Sequence, residues 1–241
     1  CHIQSWCWSK QFTCRSAFFM KTAWDFRHLK GNDKFINPND LPINVNDLRS
    51  RLWPAENDHA GWSAKILVLG QDWAGSDSII KNAPTSYIQD PKWGFNKQVK
   101  VFYNPSQIFL ANVCWFIKAG ASQGSLTGMG KVKDANKEVL DYTLKKLSSL
   151  KEVHCLGIAT YRMFGDAVGT KVSGVKYFDS FQYKGVKVVC LPHPGNRGLN
   201  DFVGKSGMSR PDAIEHIRAH INGELRERIN PLSGFNPFYI K

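Results

Sequence analysis

The sequence predicts an α/β protein, a three-layer αβα sandwich around a central, mainly parallel four-stranded sheet. Three observations predict it. Four short apolar, branched runs recur at residues 65–70, 108–113, 153–158 and 186–191. Continuous apolar runs of that length are the pattern of strands buried on both faces. Helical spacing fills the gaps between the later runs, and crossovers of that length join parallel strands right-handedly.

Taken in chain order, residues 1–19 lack an initiator methionine, hold three of the six cysteines, and show neither helical nor strand periodicity. They read as a non-native or upstream leader, to be set apart from the fold. Residues 21–60 are polar and aromatic, punctuated by Pro38, Pro42 and Pro54, and predict short helices and loops that cover something else. The sheet begins at residue 65. Between the second and third runs, residues 134–150 place Ala135, Val139, Leu140, Thr143, Leu144 and Leu147 on one stripe at helical spacing. Thr160 is expected to cap a short helix reaching Gly165, and 211–221 reads as a helix with proline in its first turn and Gly223 beyond its end. Residues 20–241 thus form one domain, with a core at about 61–222 and a C-terminal strap at 223–241.

A chain of 241 residues is long enough for a proper core. With 42% hydrophobic and 22% charged residues it is neither disordered nor fibrous. No apolar run approaches the roughly 18 residues that cross a bilayer, so a soluble protein without membrane partners is expected. Six scattered cysteines make no disulfide framework and no C-x-x-C pair. A reducing, cytoplasmic compartment is expected, with Cys114, Cys155 and Cys190 as small core hydrophobes. The net charge of +12 and a pI near 9.5 favour a polyanionic partner. The leader contributes two basic residues and no acid, so the basic character belongs to the main domain.

In an open parallel sheet, ligands bind beyond the carboxyl ends of the strands. There the first run ends in Gly70-Gln71-Asp72-Trp73-Ala74-Gly75, the second carries Asn112, and the fourth ends in Pro192-His193-Pro194-Gly195-Asn196-Arg197-Gly198. Each residue has a plain structural use: Asp caps helices, Asn anchors turns, and His-Pro makes exit turns. Three together, flanked by glycines that admit close backbone approach, point instead to a shared site.

These residues resemble the uracil-DNA glycosylase superfamily over roughly 65–218. Gly70-Gln71-Asp72 is similar to its water-activating motif, Asn112 within Phe109-Leu110-Ala111-Asn112-Val113 to its base-reading strand, and His193-Pro194 to its histidine motif. Ala159-Thr160-Tyr161 stands where the family has a backbone-clamping loop. The resemblance implies a hydrolase of N-glycosidic bonds; four suitably spaced cysteines for the superfamily's iron–sulfur branch are missing, so a monomer without cofactor or metal is expected. Its partner would be single- or double-stranded DNA containing uracil or another deaminated base. Asp72 and His193 would be catalytic, with Gln71, Asn112 and Tyr87 holding the base, Phe95 and Phe102 competing with Tyr87 as the stacking ring. Arg197, Thr160, Gly195, Asn196 and Lys205 would meet DNA, and Lys131 and Lys133 are candidate backbone contacts; these lysines equally suit a solvated face, and Arg197 a solvent-facing turn.

The chemistry needs such residue types. Hydrolysis puts cationic character on the sugar and negative charge on the departing base, as in glycosidases. An ionised carboxylate at Asp72 would hold water and stabilise the cation. His193, neutral, would donate to the base oxygen. The Asn112 amide matches the O4 and N3–H edge of uracil, and cytosine reverses both. Departures are plain: Trp73-Ala74-Gly75 replaces the family's Pro-Tyr-His, so no tyrosine blocks the thymine methyl, and Gly195-Asn196 replaces Ser-Pro. His216 and His220 lack the Glu and third ligand of a zinc site, and residues 124–130 lack the Gly-Lys-Ser ending of a phosphate loop. Two other functions fit less well: a non-catalytic nucleic-acid-binding relative, against which Asp72 argues, and a small-molecule hydrolase, against which the basic charge and Arg197 argue.

Overall fold

The computed structural model describes residues 26–42, 61–73, 75–81, 98–104, 107–121 and 129–223. The expected leader, Tyr87, Phe95, Ala74 and residues 224–241 of the strap lie outside these residues, and so does the side chain of Lys131.

Four strands, β2 (Ile66–Gly70), β3 (Ile108–Asn112), β5 (Glu152–Leu156) and β7 (Val186–Leu191), pair in parallel in the order β3-β2-β5-β7. Their central residues, among them Leu67, Val68, Phe109, Leu110, Val153, Cys155, Val188 and Val189, are buried. Burial on both faces explains why the sequence shows them as unbroken apolar runs. Helices flank the sheet: α1 (Ser76–Lys81), α2 (Lys133–Lys146), α3 (Ile158–Val168), α4 (Asn196–Ser206) and α5 (Arg210–Ile221). The result is the expected αβα sandwich. Val139, Leu140 and Thr143 of α2 are buried along the predicted stripe. Ser209 caps α5, its side chain accepting from the Asp212 amide, with proline in the first turn. Cys114, Cys155 and Cys190 are free thiols in the core.

The sheet has a fifth strand that the apolar runs do not reveal. β6 (Ser180–Tyr183) pairs antiparallel with β7 on the sheet edge, its residues alternating between exposed and half-buried. A two-residue turn, Lys184-Gly185, joins them with positive φ at both positions, 49° and 79°, the geometry that matches the twist of a tight hairpin. A second correction concerns the third run. β5 stops at Leu156 because Gly157 turns at φ 98°, and Ile158 already opens α3. Thr160 is therefore inside the helix and caps nothing.

Of the polar amino-terminal segment, residues 26–42 are described, and they pack onto the core. Phe26, Leu29, Phe35 and Leu41 are buried, and the buried Asn37 amide donates to the carbonyls of Phe26 and Leu29 at 2.9 and 2.8 Å. It also contributes a strand. β1 (Phe35–Ile36) pairs antiparallel with β4 (Ile117–Lys118), setting Phe35 opposite Lys118. Among the described residues no helix is long and apolar enough to cross a membrane.

Candidate functional site

From β2 the chain crosses to β3 on one side and later to β5 on the other. Crossovers that leave a strand in opposite directions open a crevice at its carboxyl end. Gln71, Asp72 and Trp73 beyond β2, Asn112 at the end of β3, Gly157 beyond β5 and His193 beyond β7 line one crevice of about 740 Å³. The size lies within the usual range of small-molecule sites. The expected carboxylate, amide and imidazole thus share a single cavity.

Backbone pairing brings them together. Gly70 stands opposite Asn112 in the ladder, and beyond it Val113 and Cys114 donate to the carbonyls of Gly70 and Gln71 at 2.9 and 3.0 Å. Asn112 is thereby fixed beside the Gln71-Asp72 turn. Among the described residues, no side-chain hydrogen bond occupies its amide. On the other flank, the Gly157 N–H donates to the Leu191 carbonyl at 2.6 Å, tying the exit of β5 to that of β7.

His193 is half-buried, and the Gly195 N–H donates to its Nδ1 at 2.9 Å. An Nδ1 that accepts leaves the proton of the neutral ring on Nε2. Burial holds the imidazole below its ordinary value of 6.5, so the ring is neutral at pH 7. Two glycines make room for it. A Cβ on Gly195 would lie 2.9 Å from His193 Nδ1, and one on Gly198 2.5 Å from His193 Cβ and 2.8 Å from its carbonyl oxygen.

Asp72 is held by a partner that sequence reasoning missed. Lys118 Nζ lies 2.6 Å from its Oδ2, with the two side chains only 13% and 18% exposed. Burial raises the carboxyl above its ordinary value, and the hydrogen bond and charge of Lys118 pull it part of the way back. Trp73 next to it is buried, its Nε1 donating to the Trp115 carbonyl at 3.0 Å, which fixes the indole as a wall. Gln98 and Tyr177 also line the crevice and carry no signal in the sequence.

The remaining expected contacts are divided. Arg197 is exposed, lines the crevice, and is the second residue of α4 rather than the tip of a loop. Asn196 accepts from Arg210 Nη2 at 2.8 Å. Lys205 does not itself line the crevice but is ion-paired at 2.7 Å to Asp201 and lies over the Tyr177 ring, two residues that do. Thr160 lines the crevice but is buried, and its hydroxyl donates to the Leu156 carbonyl at 2.8 Å. The hydroxyl is thus engaged within the fold, while the amides of Ile158, Ala159 and Thr160, as the first turn of α3, lack intrahelical acceptors. Of the rings considered for stacking, Phe102 is core, and Tyr87 and Phe95 lie outside the described residues. His216 and His220 pack their rings against Phe178 at 5.4 and 4.5 Å. Among the described residues no cluster of metal-ligating side chains forms.

The crevice is therefore lined by a carboxylate, a neutral imidazole, a side-chain amide and the backbone N–H groups of a helix start. That set can stabilise opposite charges developing at two ends of one bond. Comparison of the chain with protein-family models and with curated proteins finds no match.

Proposed function

We propose that this protein is a DNA base glycosylase that hydrolyses the N-glycosidic bond of uracil or a related deaminated base and leaves an abasic site. The observation that carries this reading is the meeting of Asp72, Asn112 and His193 in one crevice. The motif resemblance and the charge of +12 support it from the side of the sequence.

In this mechanism the base leaves the stack and enters the crevice, where it can be reached. The Asn112 amide reads its O4 and N3–H edge, and a cytosine there would leave buried groups unpaired at about 1–3 kcal/mol each. The C1′–N1 bond breaks with its electron pair going to the base. His193 Nε2–H donates to the base oxygen as charge gathers there, and Asp72 faces the cationic sugar. A water attacks C1′ and gives its proton to the carboxylate. Arg197, at the mouth, would fill the space the base vacates or stack on its neighbours.

Purified protein incubated with single- and double-stranded oligonucleotides carrying uracil or other deaminated bases, then with alkali, is expected to give strand breaks. Asp72→Asn should lower their rate by about 10²–10⁴-fold, the range for a lost acid–base group. One observation favours a second reading, a relative that binds and does not cut: Lys118 already occupies one oxygen of Asp72. Oligonucleotide binding without breaks, across the whole panel, would replace the first reading by the second.

A further inference from the structure

We propose that Lys118 is a positioning residue for Asp72, an ammonium brought behind the carboxylate by the β1–β4 pairing to keep it ionised and turned into the crevice. The inference rests on the glycosylase reading for what that charge is used for, and on geometry for the rest. Asp72 lines the crevice and Lys118 does not, while the two side chains meet at 2.6 Å under cover. A buried carboxylate without a partner gives up its charge by taking a proton, and a buried ammonium without one loses its own. The Lys118 ammonium favours the charged form of Asp72.

The groups around Asp72 leave the task to Lys118. Cys114, between β3 and β4, is a buried thiol pushed up to about 12, and is therefore neutral. His193, beyond β7, is held neutral by its burial. Arg197 and Asp201 of α4 line the same crevice, one of each sign, and Asp77 of α1 is exposed. Among the described residues, Lys118 is the charged group that both contacts Asp72 and opposes its burial.

Its placement is not local. Ile117 is buried and paired with Ile36, and the Ala119 N–H donates to the Lys34 carbonyl at 3.0 Å. These contacts on both sides of Lys118 fix the stem from which the ammonium reaches Asp72.

The test compares Lys118→Gln, which keeps a donor and removes the charge, with Lys118→Arg, which keeps both. Lys118→Gln is expected to move the acidic limb of base release upward by about one pH unit, a roughly tenfold loss on that limb and little loss at pH 9. The ¹³C titration of the Asp72 carboxyl carbon, assigned with Asp72→Asn, should move by the same amount in the free protein. Lys118→Arg should restore both. An unmoved limb and an unmoved carbon titration would overturn the proposal, as would a pH-independent rate loss with the carbon unmoved. The wild-type carbon decides by itself if Lys118→Gln lowers the melting temperature too far: ionisation completed below pH 7 is expected, and titration above pH 7 overturns the role. Because the carbon titrates without substrate, an inactive wild type would count against the glycosylase reading and leave this measurement to decide the pairing.

Discussion

His154 and His193 belong to neighbouring strands and have opposite surroundings. His154 lies on β5 opposite Val189 of β7, is 1% exposed, and is closed at both ring nitrogens: Nδ1 is hydrogen-bonded to the Tyr103 hydroxyl at 2.9 Å and Nε2 to Glu152 Oε2 at 2.8 Å. His193 follows two residues after β7 ends, is half-buried, and faces a crevice with Nδ1 held by a backbone amide. The sheet gives the first ring a packed slot and the second a mouth. Side chains within a strand must satisfy their polar atoms inside the layer, whereas those just past its carboxyl end can turn their donors toward a ligand. Position along the strand, more than residue type, separates the enclosed imidazole from the one that lines a crevice.

That contrast can be broken at each ring. Gly198→Ala is expected to have the largest effect. Its Cβ would meet His193 Cβ and carbonyl oxygen at 2.5 and 2.8 Å, so the backbone carrying the imidazole must shift. Alanine gains about 1 kcal/mol of helix propensity over glycine, which this clash outweighs. A displacement on the order of 1 Å corresponds to about a 10²-fold loss of base release, measured by single-turnover strand breaks. Tyr103→Phe attacks the other histidine. Removing the hydrogen-bond partner of His154 Nδ1 should cost about 1–2 kcal/mol of stability, seen as a melting point lower by a few degrees, with base release unchanged within about twofold. The smallest expected change sharpens the comparison along α4 itself. Gly204 has nothing within 4 Å of where a Cβ would stand. Gly204→Ala should therefore stabilise by about 0.5–1 kcal/mol in denaturant unfolding and leave the rate alone.

The parallel strands were legible in the sequence because both of their faces are buried, which writes Leu67 to Leu69 or Val188 to Leu191 as unbroken apolar text. β6 was not, since an edge strand with one solvated face dilutes that signal. Its trace was the Lys184-Gly185 turn. Asp72, Asn112 and His193 were legible because strand ends can be found from the same runs. Thr160 was misplaced by one short step: Ile158 is apolar and extends the run, while the glycine before it turns the chain. Lys118 had no sequence signal. It follows the buried stretch Trp115 to Ile117 and owes its position to pairing with Phe35, far away in the chain. Gln98 and Tyr177 likewise reach the crevice from segments whose placement depends on tertiary packing rather than on a periodic pattern.

The two-residue partnership of Phe35–Ile36 with Ile117–Lys118 has a practical corollary. A truncated version beginning at residue 61 would retain every strand of the large sheet and discard the mooring of the lysine. The stretch of chain that completes the large sheet and the stretch that brings an ammonium against Asp72 are therefore different ones, and the second also carries Phe26 and Phe35 into the core.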